Sequence, residues 1–393
     1  MMKNINYTIP YESLLIIQLM IYMYSYNFHS LWLLCDFIII FNVIYLINRK
    51  SLRHYFKTFL VLGILFAYLL YHSFSDLHLI NFISFWDNYK HIFVFIFAFD
   101  IYKRIPPERK QKFIDRLYRY SLISFFIQMF FIVIQYQMNV GWDNMAGTFG
   151  NGSTHSVAYF STFLTLFQIR YKKNILITAT VIAMSLITSL WSENTGYFVM
   201  LGLILFFCFI DQISVFNLAL IGLIAGFIIL IAAKNEMAGY ATNKITGFTL
   251  STSYKGAEHV RPERGILMGY ALYLGGWYGQ GFGAYSEIYN IDGWLFHKLA
   301  DKQLCISEGT HLVAEIGIVG LLITMVLFIV LFFEQFPDRK TRFFAITYLL
   351  LAMFHGRLFI DERLFFMFVL TFLVWQSDLY NKQKINHLNT SNV

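Results

Sequence analysis

The chain has 393 residues, of which 58% are hydrophobic and only 13% charged, and its formal net charge is +7. A soluble domain averages roughly 45–50% apolar and about 25% charged residues, so this composition excludes an ordinary soluble enzyme. The positive balance lies between apolar runs, as in membrane proteins, which argues against a nucleic-acid partner, and the well-separated Cys35, Cys208 and Cys305 support neither a disulfide framework nor a zinc site.

In chain order, apolar stretches fall near 10–26, 31–48, 58–74, 89–102, 120–138, 156–170, 175–191, 196–211, 213–233, 309–333, 343–356 and 362–376. Roughly 20 residues of helix cross a bilayer, so they predict an all-α polytopic membrane protein of about twelve spans. The whole chain, 1–393, reads as a single integral membrane domain. The first run has no cationic leader and no small-residue cleavage site before it, and is expected to be a retained helix.

Lys and Arg set the expected orientation. Arg49, Lys50, Arg53 and Lys57 follow the second run, and seven basic residues from Lys103 to Arg119 follow the fourth. Lys172 and Lys173 follow the sixth; Arg339, Lys340 and Arg342 follow the tenth; Lys382 and Lys384 stand in the tail. All fall on one side when both termini are cytoplasmic. The external side then receives 139–155, 192–196, a long loop over 234–308 between spans nine and ten, and 355–361.

Chemistry-bearing residues concentrate in these external segments. In "VGWDNMAGTFGNGSTHSVAYF", Val140 to Phe160, Gly147 and Gly150 allow a backbone to approach a ligand closely or to form an anion nest. The same residues suit a plain turn into span six, with Ser153 or Thr154 as helix cap. Glu193, at the outer end of span seven, is either functional or simply solvated.

The long loop carries Lys255, Arg261 and Arg264 beside Glu258, His259 and Glu263. Guanidinium groups are bidentate donors suited to phosphate or diphosphate; lipid headgroup contact or local salt bridges are the plain alternative. The apolar stretch from Gly265 to Leu274 suits a helix on or in the membrane surface. After it, Gly275, Gly276, Gly279, Gly281 and Gly283 alternate with Trp277, Tyr278, Phe282 and Tyr285. Such a cluster suits sugar stacking or an interfacial aromatic belt.

Glu308, His311 and Glu315 share one helical face. They suit a general base or proton relay, or polar contacts between helices. Gly317 and Gly320 suit close helix packing. His355, Arg357, Asp361, Glu362 and Arg363 form the last external turn, either a second source of cations or a charged hairpin.

Taken in order, these stretches resemble the O-antigen ligase/polymerase superfamily of bacterial surface-polysaccharide assembly. "GTFGNGSTHSVAYF" resembles the family's Gly-Thr-Phe-Gly loop, and "RGILMGYALYLGGWYGQGFGAYSE" its Arg, helix and glycine–aromatic pattern. "EGTHLVAEIGIVGLL" resembles its closing acidic residue followed by Gly-Ile-x-Gly. His311 stands closer to Gly317 than the ligase pattern has its His, and Arg264 with Gly275 matches a spacing found in polymerases.

The resemblance therefore implies a GT-C-like polymerase in the bacterial inner membrane, with ligase as the nearer rival and a transporter or flippase as the remoter one. It implies undecaprenyl-diphosphate-linked oligosaccharides as donor and acceptor, membrane lipid around the chain, and a chain-length regulator and flippase as partners. It implies Arg261 and Arg264 on the diphosphate, with Lys255 and Arg357 in support, and Glu308 or His311 as base. Gly147, Gly150, Trp277, Tyr278 and Tyr285 are then expected on the sugars. No cofactor or metal is expected, because fixed cations stand where Mg²⁺ otherwise would.

Overall fold

A computed structural model describes residues 11–24, 32–72, 79–141, 145–149, 154–172, 174–192, 196–209, 271–273, 275–283, 308–355 and 362–390. Within these residues lie α1 (Tyr11–Tyr24), α2 (Trp32–Asn48), α3 (Phe56–His72), α4 (Leu79–Tyr89), α5 (His91–Arg104) and α6 (Pro107–Gln137). They are followed by α7 (Thr154–Phe167), α8 (Ile175–Trp191), α9 (Gly196–Phe209), α10 (Glu308–Gln335), α11 (Arg339–His355) and α12 (Glu362–Thr390). No strand occurs among the described residues.

The described residues are thus all-helical, and the chain's composition is that of a membrane protein. Ser51–Tyr71, Pro107–Gln137 and Gly309–Gln335 are long and apolar enough to cross a bilayer by themselves. Shorter apolar helices accompany them at Ser13–Tyr24, Leu34–Asn48, Ile175–Trp191, Gly196–Phe209 and Arg363–Ser377.

Two elements differ from the expected spans. The basic stretch after α5, expected as an interval, is largely the first turns of α6. Pro107 opens that helix with Glu108 in the first turn, a proline and an anion where a helix N-terminus favours both. Leu79–Tyr89, outside every expected span but for its last residue, forms α4. Asn81, Ser84 and Asn88 lower its hydropathy, but they recur at helical spacing and occupy one face.

The contacts divide the chain into two compact units. The first comprises 1–52, 90–201 and 361–393. At its centre α12 is apolar all round and buried from Leu364 to Trp375, as expected of a helix surrounded by others. Several polar side chains inside this unit pair with one another. Gln18 donates to Asn42 at 2.9 Å, Gln168 donates to the Tyr118 hydroxyl at 2.8 Å, and Lys90 meets Asp36 at 2.8 Å. The guanidinium of Arg170 lies 4.2 Å from the Trp375 ring centre, a cation–π contact.

The second unit comprises 53–89 and 202–360. Here α3 and α10 run antiparallel. At one end the Tyr55 hydroxyl donates to Gln335 at 2.6 Å, and Glu334 accepts from the amides of Lys57 and Thr58 and, at 2.6 Å, from the Thr58 hydroxyl. A carboxylate from α10 thereby caps the start of α3. At the other end the Tyr68 hydroxyl lies 3.1 Å from the Ile316 carbonyl oxygen. α4 runs alongside α10 in the same direction, with Ser84 opposite Glu315 and Tyr89 opposite Thr324. α11 returns beside α10, and Phe344 stacks on Phe207 of α9 with ring centres 4.7 Å apart.

One consequence positions the site. Arg53 and Lys57 flank the start of α3, and Arg339, Lys340 and Arg342 follow the end of α10, so both basic clusters lie at one end of this helix pair. His311 and Glu315 lie at the other end, about 20 helical residues or roughly 30 Å away.

Candidate functional site

α10 is not one straight helix. At Gly317 the backbone turns to φ 67°, ψ −171°, a region open essentially to glycine alone. In an unbroken helix the amides of Ile318 and Val319 would donate to the carbonyls of Ala314 and Glu315. Here they donate instead to Gly276 at 3.1 Å and Trp277 at 3.0 Å. The two carbonyls set free accept from Gln280 at 3.0 Å and Gly281 at 2.8 Å. The glycine loop 275–283 thus replaces the missing turn of helix bonds with four of its own, leaving none of these buried backbone groups unsatisfied.

Such proximity requires glycine on both sides. A Cβ on Gly317 would stand 2.5 Å from the Gly279 nitrogen and 2.6 Å from the Trp277 carbonyl carbon. A Cβ on Gly279 would stand 2.5 Å from the Glu315 carbonyl carbon, at a position whose φ is +85°. The glycines therefore serve backbone docking in addition to turning. The preceding Ala271 packs against Val313 and Ala314.

The loop carries Glu315 into a polar centre. Its carboxylate is only 1% exposed. One oxygen, Oε1, accepts from the Gly283 amide at 2.9 Å and lies 3.2 Å from His311 Nε2; the other, Oε2, accepts from Ser84 at 3.0 Å. Nε2 of His311 faces this carboxylate, and a hydrogen carried there would point at Oε1. His311 itself is 15% exposed.

α3 and α4 hold the loop from the sides. Asn81 donates to the Phe282 carbonyl at 2.7 Å, and the Tyr68 hydroxyl donates to that of Tyr278 at 2.7 Å. The Phe282 ring is buried edge-on against Phe85 at 5.6 Å. Trp277 and Tyr278 point outward, 65% and 60% exposed. The arrangement is a largely buried imidazole–carboxylate pair beside a docked loop that displays two aromatic side chains.

The Gly147 turn belongs to the other unit and is held by side chains of α6. The Gly147 amide donates to Gln135 at 2.8 Å, that of Thr148 donates to Gln128 at 2.7 Å, and that of Phe149 donates to Ala146. Gln128 also bonds the Thr148 hydroxyl, and buried Arg363 donates to the Phe149 carbonyl. The amides at 147–149, which the sequence offered either to a bound anion or to a plain turn, are thus engaged within the protein. Arg363, read as part of a charged hairpin, reaches inward to this turn.

Among the expected site residues, the structure brings His311, Trp277 and Tyr278 into one unit around the loop. Glu308 opens α10, but its side chain lies outside the described residues, as do Lys255, Arg261, Arg264, Tyr285, Gly150 and Arg357. Tyr68, Asn81, Ser84, Gln128 and Gln135 were not singled out by sequence. The available signal was polar residues at helical spacing inside apolar helices, with Asn81 and Ser84 three apart and Gln128 and Gln135 seven apart. Among the described residues no three His, Cys, Asp or Glu side chains gather as a metal site.

No family model matches this chain, and no curated protein matches it in sequence.

Proposed function

We propose that the protein is a polytopic membrane glycosyltransferase of about twelve spans and GT-C-like architecture, since stretches of roughly 20 apolar residues recur along the chain. On this reading it polymerises undecaprenyl-diphosphate-linked oligosaccharide units on the external face of a bacterial inner membrane, with both termini cytoplasmic. The observation that carries the reading is the His311–Glu315 pair beside the aromatic loop, at the end of α10 opposite the basic clusters. A base at the external surface, aromatic faces for sugars, and apolar helices for a polyprenyl tail are what such a reaction requires.

The chemistry follows from the pair. His311, oriented by Glu315 at its Nε2, takes the proton of an acceptor hydroxyl. The hydroxyl oxygen forms its bond to the anomeric carbon as the bond from that carbon to the diphosphate oxygen breaks. The departing diphosphate takes the electron pair, and Arg261 and Arg264, with Lys255 and Arg357, offset its charge. Glu308 is the other candidate base. Trp277, Tyr278 and Tyr285 stack on the sugars.

Deleting the gene from a strain that makes a long lipopolysaccharide tests the reading. A polymerase leaves single repeat units on the lipid A core; a ligase leaves none; an unchanged ladder rejects both. Complementation with His311→Ala should leave single units, and long chains restored by Arg264→Ala at normal protein levels would reject the diphosphate assignment.

A further inference from the structure

We infer that Glu315 is a positioning residue that makes the setting of His311 depend on the docking of the 275–283 loop. The inference rests on the reading of His311 as the base. Glu315 is tied to the loop twice. Its side-chain Oε1 accepts from Gly283, and its backbone carbonyl accepts from Gly281. The same Oε1 meets His311 Nε2, and Oε2 is anchored to Ser84 on α4. One carboxylate therefore links the imidazole, the loop and a neighbouring helix.

The break at Gly317 makes this linkage conditional. The loop occupies the hydrogen-bonding groups that α10 would use to close on itself. When the loop leaves, the amides of Ile318 and Val319 can return to the carbonyls of Ala314 and Glu315, and residue 317 to helical geometry. The segment carrying His311 and Glu315 then rotates relative to the rest of α10, losing the Gly283 bond and its register with Ser84. Either arrangement satisfies the helix backbone, so α10 has two discrete packings, not a continuum, as expected of an element that switches. Loop docking sets the pair; loop release dissolves it.

Two readouts on the full chain in lipid nanodiscs test this without any glycan substrate. Amide hydrogen exchange follows the loop and α10 separately, and diethyl pyrocarbonate follows the accessibility of His311. Gly279→Ala attacks docking from the loop side and leaves the α10 sequence intact. In it, the amides of Gln280, Gly281 and Gly283 should exchange about ten-fold faster or more, while those of Ile318 and Val319 stay protected because the helix closes. His311 should be carbethoxylated several-fold faster in this variant and in Glu315→Ala. Glu315→Gln keeps an oxygen acceptor for Gly283 and His311, turns its NH2 to the Ser84 hydroxyl, and should leave the loop amides protected.

Three outcomes overturn the inference: loop amides protected as in wild type in Gly279→Ala, Ile318 and Val319 opening together with the loop, or His311 reacting at the wild-type rate once the loop has opened. The polymerase reading fails on a different result, an unchanged glycan ladder in the deletion strain, so the two are separable.

Discussion

Replacing Gly317 with alanine tests whether the break in α10 is imposed by the loop. If the docked arrangement persists, the alanine must occupy a backbone region open essentially to glycine, at a strain of about 1–3 kcal/mol. Its Cβ would also overlap Gly279 and Trp277, at 2.5 and 2.6 Å. If the loop lets go, four backbone bonds and the Gly283–Glu315 bond, worth about 0.5–1.5 kcal/mol each, are lost and two helical ones are regained. The difference, three bonds, is about 1.5–4.5 kcal/mol, so both routes predict a loss of at least about 1 kcal/mol. Gly63, exposed on α3 with nothing within 4 Å of its Cβ position, is the control. There alanine should stabilise by up to about 1 kcal/mol through helix propensity. Denaturant titration in mixed micelles, or thermal unfolding in nanodiscs, measures both variants. If Gly317→Ala is as stable as wild type or shifts in the same direction as Gly63→Ala, the break belongs to α10 itself and the exchange of hydrogen bonds does not cause it.

Glu334→Ala should lower stability by about 1 kcal/mol, because the start of α3 loses its capping carboxylate; thermal unfolding reads the change. Asp36→Leu should cost about 3 kcal/mol, since it leaves a 5% exposed ammonium short of its carboxylate. Lys90→Met should cost less, because Asp36 is 33% exposed and partly solvated, and the double variant should recover most of the loss in the same measurement. Gln128→Ala withdraws the acceptor of the Thr148 amide and should cost about 1–3 kcal/mol; limited proteolysis at the Gly147 turn, faster than in wild type, is the direct check.

Much of the helical framework was legible in the sequence, because an apolar run of spanning length has few alternatives. The run at 175–191 is α8 residue for residue, and 196–211 and 309–333 lie within a few residues of α9 and α10. The helical face shared by His311 and Glu315 was also legible, since spacing of four needs only a local helix. α4 escaped because Asn81, Ser84 and Asn88 break an apolar run that is already short. Their use appears only when α10 and the loop lie alongside.

Composition, charge placement and local periodicity therefore determined that this chain is helical, that its character is that of a membrane protein, and which residues could carry chemistry. Tertiary structure alone decided what the glycines are for. Their spacing marks a turn, but only the approach of α10 shows that Gly279 and Gly317 must lack a side chain so that two backbones can exchange hydrogen bonds. It also decided that Glu315 is buried at the junction of α4, α10 and the loop, where one carboxylate accepts from three donors. Periodicity reports which face a residue occupies; it carries no record of the distant backbone that will meet that face.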